Sequence, residues 1–137
     1  MRFYGFGNMY LSSIQQGIQA AHVIGNMSAK YRNADSDYTK WANDHKTIIL
    51  LNGGMSCNLH SIVEHFMEDD NPYDWSCFTE SQEALDGTIT SVGIILPDDA
   101  YLTATKMRTL NSKMNLFGIP SWEIELYEIM NSCRLAI

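Results

Sequence analysis

The stretch Tyr10-Leu11-Ser12-Ser13-Ile14-Gln15-Gln16-Gly17-Ile18-Gln19-Ala20-Ala21-His22 changes its hydrophobic period in the middle, and that change sets the start of the fold. Before it, Phe3-Tyr4-Gly5-Phe6 and Met9-Tyr10-Leu11 read as an aromatic, β-prone opening. After the serines, Ile14, Ile18, Ala21 and Val23 or Ile24 recur at helical spacing. Ser12 or Ser13 is a natural N-cap, because a hydroxyl accepts a hydrogen bond from a free N–H of the first turn. Gln15 and Gln16 are the polar, uncharged residues of that turn which would face solvent or a ligand. A helix start after a strand gathers free N–H groups and a partial positive charge, so it can hold an anion. The plainer reading is an amphipathic first helix with a good cap and no ligand.

Working outward, residues 30–44 are polar, with a loop at Asn33-Ala34-Asp35-Ser36-Asp37 and a short helical turn around Trp41. His45-Lys46-Thr47-Ile48-Ile49-Leu50-Leu51 reads as a strand buried on both faces, stopped by Asn52-Gly53-Gly54. Leu59, Ile62, Val63 and Phe66 give a helix that Glu68-Asp69-Asp70-Asn71-Pro72 closes. Tyr73, Trp75 and Phe78 lie on a strand or an aromatic loop, and Leu85-Asp86-Gly87-Thr88 is turn-like. Residues 90–96 form the last clear strand, stopped by Pro97. Asp98 starts a helix to about Met114, with Ala104, Met107, Leu110 and Met114 inward, and Ser121 caps a final helix. The expected architecture is a single α/β domain over residues 1–137, with one mixed four-stranded sheet, helices packed against it and an extra C-terminal helix.

Composition narrows the function classes. The chain has 137 residues, 45% apolar content and 18% charged content, which fit one globular domain. No apolar run reaches the ~18 residues of a membrane span, and the start lacks the pattern of a secretory signal. A cytoplasmic protein is expected (host cytoplasm if viral), without membrane contact. Net charge is −7 and the nine Lys and Arg residues are dispersed, which disfavours an extended nucleic-acid footprint. A pocket for one phosphorylated ligand needs only two or three donors. The cysteines Cys57, Cys77 and Cys133 make no C-x-x-C pair, so neither a zinc site nor a disulfide framework is indicated.

Few residues suggest chemistry. His22 reads either as a partly buried histidine or as a general base. His60 and His65 are five apart and cannot ligate one metal from the same helix face. His60 and Glu64 share a face, but two groups make a weak site, so neither a metal nor a cofactor is expected. Glu68-Asp69-Asp70 reads as a solvated helix end. Gly5-x-Gly7 lacks the third glycine of a dinucleotide fingerprint. Trp75 and Phe78 are core residues or a stacking surface for a base, worth ~1–3 kcal/mol per contact.

Ser13-Ile14-Gln15, Gln19-Ala20-Ala21-His22 and Gly87-Thr88-Ile89-Thr90 with its apolar strand and Pro97 resemble the type-two peptidyl-tRNA hydrolases, over roughly residues 10–97. That family opens its first helix with S-K-G-K-x-x-x-Q-x-x-H-A and enters a later strand with G-T-x-T. The resemblance implies hydrolysis of an ester on tRNA, with His22 and Thr90 near the reacting bond. Ile14 and Gln15 stand where the family carries lysines. The aspartate of its D-A-G-x-T pattern has no identical counterpart near Phe78-Thr79-Glu80. In size, element order and aromatic-plus-polar content the chain also resembles the first Thoeris anti-defence sponge family of phages. Those proteins sequester cyclic nucleotide signals without catalysis and work as oligomers.

Three readings follow. The first is a non-catalytic homo-oligomer that sequesters a small cyclic nucleotide or ADP-ribose-type signal. Trp75 and Phe78 would stack the base, Lys106 and Arg108 would meet phosphates, and Ser12, Ser13, Gln16 and Thr88 would supply hydrogen bonds. The second is a peptidyl-tRNA hydrolase using His22 and Thr90. The third is an interaction domain that uses its last helix and no small ligand. That helix, taken as residues 121–136, carries Ile124, Tyr127 and Leu135 away from its Trp122-Leu126-Ile129-Cys133 stripe. Such a second apolar side predicts a dimer or an assembly of dimers.

Overall fold

The computed structural model describes residues 1–110 and 118–136. Its strands are β1 (Arg2–Gly7), β2 (Ile48–Asn52), β3 (Trp75–Thr79), β4 (Ile89–Leu96) and β5 (Arg134–Leu135). Its helices are α1 (Ser13–Lys30), α2 (Asp37–Lys40), α3 (Ser56–Phe66), α4 (Gln82–Leu85), α5 (Ala100–Leu110) and α6 (Ser121–Ser132). A single π-helical turn, Trp41–His45, follows α2. The strands form one mixed sheet in the order β3-β4-β1-β2-β5. β1 is parallel to β2 and antiparallel to β4, while β3 and β5 run antiparallel to β4 and β2. The α/β class therefore holds, with five strands in place of the expected four. The extra one comes from the chain's end: after Ser132 the backbone extends, and Arg134 and Leu135 pair with Asn52 and Leu51.

Side chains alternate along the strands and split the core into two layers. Tyr4, Phe6, Leu51, Val92, Ile94 and Leu96 pack with residues of α3, α5 and α6 on one face. Phe3 and Ile95 pack with Ala20, Val23, Met27 and Trp41 on the other. Two glycines set the shape of this second layer. Gly5 of β1 lies directly opposite Gly93 of β4, and the Phe3 ring lies across both. A Cβ on Gly5 would come within 3.0 Å of Leu50 and Phe3 and 3.6 Å from Ala20, and one on Gly93 would run into Phe3 and Val23. No side chain projects from these two positions, and Ala20 and Val23 of α1 come close to the backbone there.

This seating rotates α1 away from the face that its aliphatic residues suggest. The buried residues are Gln16, Ala20, Val23 and Met27, whereas Ile14 is 78% exposed and Ile18 is also exposed. Over the two glycines Ala20 and Val23 face the sheet because there is little depth for larger groups, and Ile14 and Ile18 are left outside. Gln16, expected to face solvent, is buried: its Nε2 donates to Leu11 O, and its side chain fills the space over Gly7. Gly5 and Gly7 thus have packing roles. Ser12, not Ser13, is the cap, accepting from Gln15 N while Gln15 Oε1 accepts from Ser12 N.

Three further expectations change. β2 begins at Ile48, because Lys46 takes a left-handed φ of 57° and Trp41 Nε1 bonds Thr47 O. β2 is next to the short β5 rather than central, and its Ile48 is exposed. In α6, Tyr127 is 7% exposed and belongs to the core with Trp122, Leu126 and Met130. The side taken to need a partner is thus partly covered by the chain itself, and the argument for a dimer through this helix loses Tyr127. Met114, assigned to the inner face of α5, lies outside the described residues.

β3 is an edge strand, and α1 guards it. Gln19, His22, Asn26 and Lys30 form one stripe along the helix. Asn26 Nδ2 donates to Cys77 O at 3.0 Å and Lys30 Nζ to Trp75 O at 3.2 Å. Tyr31 Oη accepts from Trp75 N and donates to Trp75 O, both at 2.9 Å. Backbone groups that would otherwise offer an open sheet edge are engaged by side chains.

The two-glycine seat makes a direct prediction. Gly93→Ala should lower stability by about 1–3 kcal/mol, the cost of overpacking a filled core. Gly25→Ala, on α1 with open space around the new methyl, should raise it by about 0.5–1 kcal/mol. Urea denaturation of the two variants checks both signs.

Candidate functional site

Three elements meet at the end of the α1 stripe. The β3–β4 ladder slips between the pairs Phe78–Ser91 and Thr79–Ile89, leaving Thr90 without a partner across the strand. Bulges of this kind re-aim a side chain. Thr90 Oγ1 donates to Gln19 Oε1 at 2.8 Å, and Gln19 Nε2 donates to Glu80 Oε1 at 2.8 Å. The Gln19 carboxamide is therefore fixed at both ends and ties α1 to β4 and to the segment after β3. One turn along α1, the His22 ring stacks on Phe78 at 4.4 Å between centroids and 14° between planes. Thr90 is 1% exposed, Glu80 is half-buried and His22 is exposed. The Glu80 backbone N–H donates to Thr88 O at 3.0 Å, closing the loop that carries α4. Together these residues offer a carboxylate, an exposed imidazole and an aromatic stack on one patch.

A concavity lies on the opposite face of the sheet. A groove of about 510 Å³ opens at the carboxyl ends of β1 and β2. Its lining includes Gly54, Asn58, Ile129, Ser132, Cys133 and Arg134. Gly54 holds a φ of 87°, which turns the chain from β2 toward α3. Crevices at the carboxyl ends of parallel strands are where open α/β sheets commonly bind ligands, and this volume is within the usual range for small-molecule sites.

The residues expected to bind a nucleotide do not converge. Trp75 and Phe78 are three apart on β3 and project to opposite faces, Trp75 toward Phe66 and the α3 layer, Phe78 toward α1. They cannot stack on one base. Lys106 and Arg108 are exposed on α5, across the sheet from Ser12, Ser13 and Gln16. Thr88 Oγ1 donates to Leu85 O at 2.6 Å and stabilises a turn. The sheet does bring His22, Phe78 and Thr90 to one patch, and it adds Gln19 and Glu80. The signal for Gln19 was present in Gln19-Ala20-Ala21-His22. Glu80 became identifiable only through its hydrogen bond.

On α3, His60 and Glu64 are both exposed, and among the described residues the potential metal-ligand atoms that converge are instead those of His65, Glu68 and Glu125. No described helix is long and apolar enough to cross a membrane. No family model, curated protein sequence or solved structure matches the chain.

Thiol reactivity reports on the groove. Burial pushes the Cys77 and Cys133 thiols up from their ordinary range, and Cys57 is exposed on α3. Near neutral pH, iodoacetamide should modify Cys57 first and Cys133 slowly, because the thiolate is the reacting form. Peptide mass spectrometry over a time course checks the order. Equal rates for the three in the folded protein would contradict it.

Proposed function

We propose that the chain binds the ester-bearing end of a nucleotide at the α1–β3–β4 patch and hydrolyses the ester, as the type-two peptidyl-tRNA hydrolases do. The observation that carries this reading is the hydrogen-bonded chain Thr90–Gln19–Glu80. It joins the two motif segments that resemble that family, and it supplies a carboxylate in the stretch where the family's aspartate lacks an identical counterpart. Glu80, held through one oxygen by Gln19, takes a proton from the water that attacks the ester carbonyl and returns it to the ribose oxygen as the carbon–oxygen bond breaks, leaving a free acid and a ribose hydroxyl. Thr90 acts as a positioning residue that orients Gln19. The exposed His22 ring, backed by Phe78, offers a face on which a terminal base stacks. With a net charge of −7, recognition is confined to the acceptor end and excludes a long tRNA footprint.

Sequestration of a small nucleotide without turnover is the second reading. It is favoured by the closure of Thr90, which is 1% exposed with its hydroxyl already bonded. One experiment separates the two. Purified protein is incubated with diacetyl-lysyl-tRNA, and separately with a panel of cyclic nucleotides that are recovered after heating. The hydrolase reading expects release of diacetyl-lysine, about 100-fold slower in Glu80→Gln and nearly unchanged in Lys106→Ala. No release above the spontaneous rate at high protein concentration overturns it. Intact recovery of a bound cyclic nucleotide would then establish sequestration.

A further inference from the structure

His65 of α3 is 3% exposed and packed against α6. Its ring stacks on Trp122 of α6 at 4.5 Å between centroids, and Trp122 Nε1 donates to His65 O at 2.9 Å. His65 Nε2 lies 3.0 Å from Trp122 O. A carbonyl oxygen only accepts, so Nε2 must carry the proton and the neutral ring presents a bare lone pair at Nδ1. Two carboxylates lie beside that nitrogen: Nδ1 is 3.2 Å from Glu68 Oε1, in hydrogen-bond geometry, and 3.3 Å from Glu125 Oε2. With the ring neutral, three acceptors converge and no donor stands among them.

The geometry points to a binding site for a divalent first-row transition-metal ion, with Zn²⁺ the natural occupant, held by His65 Nδ1, Glu68 and Glu125. The three ligand atoms lie within 4.8 Å of one another. A tetrahedral zinc ion with bonds of about 2.0–2.1 Å sets its ligands about 3.3 Å apart, matching the two histidine–carboxylate separations. The Nε2–H bond to a backbone carbonyl is the outer contact that fixes the tautomer of a metal-binding histidine. An imidazole with two carboxylates favours zinc over the hard, all-oxygen ions calcium and magnesium. His65 is rigid and buried, while both glutamates are exposed, so the ion is held from the protein side and open to water on the other. Glu125 also lines the groove, so the ion site opens toward it.

The site is separate from the α1–β3–β4 patch, and its test does not use activity. Metal-free protein is titrated with Zn²⁺ by calorimetry, and with Co²⁺ by visible absorption. The expectation is one ion per chain and a rise in melting temperature with Zn²⁺. Glu68→Gln and Glu125→Gln, at exposed positions that leave the His65–Trp122 contact intact, should each weaken binding by about tenfold or more. The double variant should bind no ion at the main site and melt at the same temperature with and without Zn²⁺. Absence of Zn²⁺ binding would mean that a proton alone occupies Nδ1, and it overturns the proposal. So would full affinity in the double variant, a thiolate charge-transfer band with Co²⁺, or equal binding of Ca²⁺ and Mg²⁺.

Discussion

The close approach of α1 to the sheet over Gly5 and Gly93 is the constraint from which much of this structure follows. Two facing glycines on neighbouring strands remove side chains from one spot, and Phe3 lies flat in the space. A helix landing there can offer only small or slender groups, so Ala20 and Val23 face the sheet. That fixes the rotation of α1 about its axis. Once the rotation is set, the stripe Gln19, His22, Asn26 and Lys30 is aligned with β3, and the edge of the sheet is engaged by side chains. The candidate site is the upper end of the same stripe. Stability of the edge and composition of the site are therefore consequences of one packing decision.

The second layer works by different means. On the far face the side chains are large, and α3 and α6 are joined by a reciprocal contact between His65 and Trp122 rather than by close backbone approach. A buried imidazole bonded through Nε2 has its second nitrogen committed to whatever lies beyond it. Here two glutamates lie there, Glu68 just past the end of α3 and Glu125 on α6. Buried polar groups are costly unless satisfied, which makes this junction the most chemically exacting point in that layer.

The two layers also differ in what they leave open. On the α1 side, Thr90, Gln19 and Glu80 bond to one another, and the His22 ring beside them is exposed. On the α3–α6 side, a groove persists because β5 crosses beyond the end of α6 and Gly53-Gly54 keeps the β2–α3 turn low. A Cβ at Gly53 would press on Leu59 and Phe6, so the turn and the floor of the groove depend on a missing side chain.

Local chemistry determined much of the architecture. The period change around Ser12 and Ser13, the Ile/Leu run before Asn52-Gly53-Gly54 and the apolar run ended by Pro97 each act within a few residues, through hydrogen bonding and backbone geometry. They specified the α/β class and most element positions without knowledge of partners. Ser121 opens the last helix but does not cap it, because Pro120 holds the N-cap position and no side chain bonds the first turn. Quantities that depend on residues distant in sequence were decided only in three dimensions. The face of α1 that is buried depends on glycines at positions 5 and 93, and aliphatic spacing alone pointed to Ile14 and Ile18 instead. β5 has only two residues and is defined by its pairing with Leu51 and Asn52. Trp75 and Phe78 look like one aromatic cluster in the chain, but strand alternation sends them to opposite layers. Glu80 gains its place from a bulge at Thr90, and Glu125 meets His65 because α6 folds back onto α3. Sequence spacing sets what a single helix or strand can do with itself. Which side chains share a site is set by how those elements pack.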